Sequence, residues 1–502
     1  MKVLKILPIC LSPVLLSACN GGWLTTAGPD YTPPVMPAAA AWQAPQQEEN
    51  ILPVAHEGNQ ANLQAWWDGF QDEALSRLQA AAQQQSPNVA SAGAKIAQSR
   101  ANFASADAAL LPSVDGNMAG KRSSASFGGP AFLWDQYQAG LQSNWELDLF
   151  GILSRQQEAA NSQLESRQAA WHDARVAVAV EVANAYLAYR YCEVQLQLTT
   201  TDAESRLKSV MLTETANSSG LRAHTDVALA QASSADGDRL ALQYQAQCER
   251  SIKGLVALSG LEEAEVRQLL LAAPDRIARL PEPPPFKIDA LPINVLRQRP
   301  DIAAAERDVA EASANIGVEQ AKRLPRISLS GNITPTLQNM NGSALMLAQT
   351  WAIGPTLSLP IFDAGKRAAN VESMRGQYEF AVSNFRSKVR TAVREVEEAL
   401  VRLQSAGKRL PLAQSAYHEY QNRFTALQTL YQAGLSSGLE VETARRSLLA
   451  AELTVKELDQ ERVSAWIALY RAAGGGWEHP QADATTHEKA AIIKESGNGE
   501  NS

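Results

Sequence analysis

Between Gly151 and Gly220 the chain holds neither glycine nor proline, and apolar residues recur there at spacings of three and four. Val176, Val180, Ala183, Leu187, Tyr191, Val194 and Leu198 mark the stripe. Such spacing keeps one apolar seam on one helix face, so a long helix laid against a partner is predicted, as in a coiled coil. At ~1.5 Å per residue the run reaches roughly 100 Å, far more than a small domain requires. Val389, Val393, Val396, Leu400 and Leu403 repeat the stripe later, in a helix that Gly376, Gly407 and Pro411 are expected to bend or loosen. Gly220 and Gly434 end the outgoing runs where a backbone without a Cβ can turn. Two long helical hairpins are predicted, over 152–260 and 366–474.

A periodicity of two precedes each hairpin. Ala139, Leu141, Trp145, Leu147 and Leu149 alternate with Gln138, Gln142, Asn144, Glu146 and Asp148. Trp351, Ile353, Leu357, Leu359 and Ile361 alternate with Gly354, Thr356 and Ser358; Ile327 to Leu337 alternates too, and Val114 to Ser124 more weakly. These segments predict two β-hairpins, at about 113–150 and 326–363, turned by polar loops at 122–130 and 338–344. A strand of ~9–11 residues with one apolar and one polar face suits a tilted membrane barrel. A half-buried sheet in water alternates in the same way. Four strands cannot close a membrane barrel, since the smallest use about eight, so a barrel requires several chains.

The pattern is written twice. Ser86, Pro87, Asn88, Val89 and Ala90 correspond to Arg299, Pro300, Asp301, Ile302 and Ala303; Leu111 and Pro112 correspond to Leu324 and Pro325. Gly116 and Asn117 match Gly331 and Asn332, and Gly151, Gly220 and Gly260 match Gly365, Gly434 and Gly474, all at one nearly constant spacing. The reading is a first repeat over 61–280, a proline-rich linker over 281–290 and a second repeat over 291–477.

Composition narrows the class. The 502 residues carry a net charge of -8 with no basic stripe, so nucleic acid has no electrostatic footprint here. No apolar run is long enough for a membrane helix. Lys2 and Lys5 precede a short apolar stretch ending in Leu16, Ser17, Ala18 and Cys19, the order of a secretory signal. That order resembles the lipobox of bacterial lipoproteins, which implies removal of 1–18 and acylation of Cys19; Asn20 in place of Asp implies sorting to the outer membrane. Residues 19–60, with Pro29, Pro33, Pro34, Pro37, Pro45 and Pro53, read as a lipidated tether, and 478–502 as a flexible tail. Cys192 and Cys248 lie equally far before and after Gly220, at one height of an antiparallel hairpin. In an exported protein they are expected to form a disulfide.

Enzyme chemistry finds little support. His487 and Glu488 begin a metalloprotease pattern, but Ala491 stands where its second histidine belongs. Ser205 and Lys208 have a hydrolase-like spacing but read as surface positions of the long helix. Trp66, Trp67 and Phe70 read as core anchors.

Several of these motifs together resemble the TolC-like outer membrane efflux factors, in their lipoprotein branch of the OprM or NodT type. The resemblance rests on Gly28, Pro29, Asp30, Tyr31 and Pro34, on Trp66, Trp67, Phe70, Asp72 and Leu75, and on Trp145 through Gly151. It continues through Arg299, Pro300, Asp301, Ile302, Ala305, Glu306, Ile316, Gly317 and Pro325, then Pro360 to Asp363 with Gly365, and Gly474 to Trp477. It implies a mainly α fold with a small membrane β part, in which three identical chains build one barrel in the outer membrane and one helical cylinder in the periplasm. The implied function is passive export without a cofactor or enzyme activity, in partnership with a periplasmic adaptor and an inner-membrane pump of the RND type.

The family closes its channel around the turns near Gly220 and Gly434. Here Tyr431 and Glu440 match its tyrosine and first acid, Ser436 replaces its arginine, and Thr443 replaces its second acid. Asp226 matches an acidic position, with Arg222 and His224 nearby, and Glu442 is a further acid. Rings of Asp226 and Glu440 are expected to give cation preference and to help close the pore. The competing reading is a structural coiled-coil lipoprotein without transport.

Overall fold

The structure is a computed structural model that describes residues 26–37, 41–44, 54–56, 66–126, 128–272, 280–284, 286–288, 292–340 and 342–477. Cys19, the 1–18 signal, part of the 281–290 linker and the 478–502 tail lie outside the described residues. Along the chain come β1 (Val54–His56), a 3-10 turn (Trp66–Phe70), α1 (Glu73–Gln85), α2 (Pro87–Ala108), β2 (Ser113–Ala125) and β3 (Phe132–Leu147). Then follow α3 (Ile152–Ser218), α4 (His224–Ser259), α5 (Glu263–Leu271), β4 (Phe286–Ile288), α6 (Pro292–Arg297) and α7 (Pro300–Ala321). The chain ends with β5 (Arg326–Met340), β6 (Met346–Ser358), α8 (Lys366–Gln432) and α9 (Gly438–Ala472).

α3 and α8 each contain 67 residues. Helix α8 passes through Gly376, Gly407 and Pro411 as one element, so these residues do not divide it. The carbonyl that the Pro411 ring crowds belongs to Gly407, and one lost N–H removes a single helix bond. The described residues form two compact units, and neither coincides with one sequence repeat: those within 26–35, 95–167 and 304–385 make the first, and the other described segments the second.

The first unit contains an antiparallel sheet in the order β2-β3-β5-β6. Its strands run 13, 16, 15 and 13 residues, longer than the alternation alone suggests. Pairing from Arg122 with Asp135 to Ser124 with Leu133, and of Gln338 with Met346, extends the ladders into segments read as loops. Arg122 and Asp135 add an ion pair at 3.5 Å. Pro335 sits in an inner strand, and the β3·β5 ladder skips there before resuming on both sides, as the missing N–H requires.

An N-terminal strap crosses this unit. The Ala27 N–H donates to the Phe150 carbonyl at 2.9 Å, and Arg155 donates to the Ala27 carbonyl at 3.2 Å and to Asp30 at 2.8 Å. The Tyr31 hydroxyl reaches the Glu306 carboxylate at 3.2 Å, and the Arg307 guanidinium lies over the Tyr31 ring. A Cβ on Gly28 would collide with the Gly317 backbone, and one on Gly317 would meet the Ala27 carbonyl at 2.9 Å. The tether reading of 19–60 is therefore corrected: part of it is packed, and β1 also pairs in parallel with β4. Both contacts join residues distant in sequence, which composition does not report.

The second unit holds the main apolar core. Trp66 stacks on Tyr470 with ring centroids 4.7 Å apart and meets Phe70 edge-on at 5.0 Å. Asp72 caps α1 through the Leu75 N–H at 3.1 Å and accepts from the Tyr186 hydroxyl at 2.8 Å. Arg190, buried beside it, donates to the Tyr186 oxygen at 2.8 Å and pairs with Glu193 at 3.0 Å. Arg299 is bonded to both oxygens of Asp301, to Glu395 and to the Ala472 carbonyl.

Cys192 and Cys248 are joined as a disulfide between α3 and α4. Replacing both by serine frees a loop of 56 residues' separation in the unfolded chain and should lower stability by about 2–4 kcal/mol. Thermal unfolding of the double serine variant measures this. An unchanged midpoint would mean that the hairpin is held by packing alone.

Candidate functional site

Two regions carry chemistry beyond packing. In the sheet, register sorts residues by row. Gly116, Leu141, Ile333 and Trp351 form one row across the strands, and Gly120, Tyr137, Leu337 and Leu347 another on the same face. Asp115, Gln142, Asn332 and Ala352 form the row next to that of Gly116, and Ser113, Asn144, Ser330 and Gly354 a row two residues further along, and both point to the opposite face. Along these rows one face is apolar and the other is built of amides, hydroxyls, small residues and the Asp115 carboxylate. The apolar face is bare: Met118 is 87% exposed and Trp351 72%. Among the described residues, β2 and β6 each have one unpaired edge. A broad apolar face with open edges is unfavourable in water and calls for lipid on the face and strands at the edges.

The second region is the pair of helix turns. Gly220 and Gly434 have φ of +72° and +74°, and the N–H groups of Leu221 and Leu435 reach back to the Ala216 and Leu430 carbonyls, both at 2.8 Å. The two turns are therefore one motif built twice, in which a left-handed residue closes the last helix carbonyls. Asp226, in the first turn of α4, faces Arg222 at 3.6 Å. Ser437 caps α9 in a reciprocal box with Glu440, whose carboxylate accepts from the Ser437 N–H at 2.9 Å and the Ser436 hydroxyl at 2.8 Å. The Ser437 N–H first, and then the two serine hydroxyls, hold the Glu440 carboxyl below its ordinary value. Tyr431 is exposed at the end of α8.

The candidate gate residues are thus engaged locally, Asp226 within its own turn and Glu440 within its own cap. Glu442 is elsewhere: it is buried against α3, where the Ser205 hydroxyl donates to its carboxylate at 2.6 Å. This corrects the reading of Ser205 as a surface position. Ser209, Arg445 and Arg446, which sequence reasoning did not single out, join the same seam. Their available signal was the spacing of Ser205, Ser209 and Thr213, four residues apart on one helix face. No group of residues able to hold a metal ion occurs among the described residues.

A duplicated helical hairpin attached to a two-faced, open-edged sheet defines a membrane-associated β/α protein. Residues 78–261 and 291–475 match the outer membrane efflux protein family, and the chain belongs to that family. It is similar to the solvent efflux pump outer membrane protein SrpC of Pseudomonas putida, at 28% identity over 90% of this chain and 96% of the relative. It is also similar to nodulation protein T of Rhizobium leguminosarum bv. trifolii, at 28% identity over 92% and 96%. Among solved structures, the outer-membrane channel OprN superposes with a TM-score of 0.74 at 26% identity, over 90% of this chain and 99% of that one. The family is one of channel proteins rather than enzymes, and the apolar face of the sheet is accordingly read as lying in the outer membrane.

Proposed function

We propose that this protein is the outer membrane channel of a tripartite efflux system, which passively conducts substrates delivered by an inner-membrane pump of the RND type through a periplasmic adaptor. The observation that carries the proposal is the sheet, apolar on one face, polar on the other and open at both edges. Three copies, each pairing β6 with β2 of the next, would leave no edge and would turn the amide and hydroxyl face toward a water-filled lumen. A strut between membranes has no use for such a sheet. Cys19 would carry the lipid that fixes the chain to the outer membrane.

In this reading the helix turns form the periplasmic end, where Asp226, Tyr431 and Glu440 of three chains would narrow the pore. The acids would favour cations at the constriction. The test uses the purified protein in detergent and in planar bilayers. A three-fold particle with stable currents is expected, and Asp226→Ala combined with Glu440→Ala should enlarge those currents. A detergent-independent monomer without conductance overturns the channel; unchanged currents in the double variant overturn the gate alone.

A further inference from the structure

The face that α3 turns to α9 changes character along its length. In the core, Tyr186 and Leu187 of α3 and Trp466, Ile467 and Tyr470 of α9 belong to one apolar cluster. Toward the turn, Ser205, Ser209 and Thr213 take over, all buried. The Ser209 hydroxyl donates to the Ser205 carbonyl at 3.0 Å, and that of Thr213 to the Ser209 carbonyl at 2.7 Å. Helix α9 answers with Glu442 and Arg446. The Ser205 hydroxyl, on a residue 1% exposed, donates to Glu442 Oε2 at 2.6 Å, and Arg446 Nη1 donates to Ser209 Oγ at 3.0 Å.

Glu442 is itself only 7% exposed, an unusual place for a carboxylate on a helix surface. Arg445 supports it, donating from Nε to the same Oε2 at 3.0 Å while its guanidinium lies 4.8 Å from the centre of the Phe424 ring on α8. One turn earlier Gly438 fits closely under Leu212 of α3, where a Cβ would come within 2.9 Å of the leucine side chain. Both helices of the second hairpin are therefore tied through Glu442 to α3 of the first.

A seam of this kind differs from an apolar one. When it parts, water replaces each hydrogen-bond partner, so the net cost is small, whereas parting an apolar seam exposes hydrocarbon with no compensation. The geometry points to a latch: Glu442, held by Ser205 and Arg445, keeps α9 against α3 in the closed channel, and its release frees the turn end of the second hairpin while the apolar core stays shut. Glu442 is a positioning residue, distinct from Asp226 and Glu440, whose contacts are local to their turns. The latch rests on the channel reading above.

Single-channel recording of the full-length protein tests it. Ser205→Ala should raise the open fraction roughly fivefold, the factor one net hydrogen bond supplies, and Glu442→Ala roughly tenfold. The two together should do no more than Glu442→Ala alone, because they remove one interaction. Thr215→Ala is the control, since among the described residues that exposed hydroxyl bonds to the Met211 carbonyl of its own helix and to no neighbouring helix. Wild-type currents from both single variants, or effects that simply add, overturn the latch and leave the channel standing. Absence of current from every form, wild type included, overturns the channel reading and the latch with it.

Discussion

Leu141→Arg is expected to abolish assembly in the outer membrane. Leu141 lies midway along β3, in the apolar row between Gly116 and Ile333. A cation at the midplane of a barrel's lipid face costs about 2–4 kcal/mol, and the proposed ring of three chains would carry that cost three times. Gln142→Arg, one residue along and on the polar face, should be tolerated, because an arginine there would meet the water-filled lumen of the proposed channel. The comparison is made on the yield of oligomer extracted from membranes. Equal yields from the two variants would mean that the faces are assigned the wrong way round.

Arg299→Met should be the most damaging change in the helical unit, costing about 3–5 kcal/mol. Arg299 is 5% exposed and is the shared partner of Asp301 and Glu395. Methionine fills similar space but leaves the Asp301 carboxylate unpaired and the Ala472 carbonyl without its donor. The Glu395 side chain is 34% exposed, but its Oε2, the oxygen that faces Arg299, is buried and loses its ion partner as well.

Acid titration adds a signature. Burial pushes the Asp301 carboxyl up, but the bonds and charge of Arg299, with Lys388, outweigh it and hold the group below its ordinary value. The stability this contributes in the wild type is present at neutral pH and is lost as pH falls below about 4 through the depressed value. In the variant, burial acts unopposed by Arg299 and the carboxyl rises, so the penalty should be full at neutral pH and shrink on acidification. Asp173 already behaves in that second way, raised by burial and by the nearby Asp301 charge. Unfolding midpoints of both proteins between pH 3 and 7 would show the gap narrowing toward acid; a constant gap would place the damage in packing instead.

The helical hairpins were legible because their signals are local. The breaker-free run before Gly220 and the equal distances of Cys192 and Cys248 from it need no knowledge of other segments, and the structure turns at that glycine and joins those cysteines. Alternation likewise revealed strands, and row-by-row pairing then shows that their middle stretches place Met118, Leu141, Ile333 and Trp351 on one face, while Trp134, Met340 and Met346 at the strand ends fall on the other. At Arg122, Ser123 and Ser124 the weak alternation and the polar loop reading overlapped, and only Asp135, Trp134 and Leu133 opposite them decide for the strand; Gln338 looked like a loop residue until Met346 is opposite it. The Glu442 seam was illegible for a related reason. A serine every fourth residue on a charged helix looks like a solvated face, and only the approach of α9 makes Ser205 a buried donor. The N-terminal strap, which touches Phe150, Arg155, Glu306 and Gly317, leaves no periodic trace at all.

The strap also limits how this sequence can change. At its crossing two glycines meet backbone to backbone, Gly28 on the strap and Gly317 on α7, and each is short of room for a methyl group. Replacing either one first forces the strap away and strips Arg155 of its bond to the Ala27 carbonyl, so no alanine at one position prepares the way for an alanine at the other. The pair forms a dead end for stepwise drift: descendants either keep both glycines or must rebuild the whole crossing, and covariation across related chains should find these two sites nearly silent while their surroundings vary.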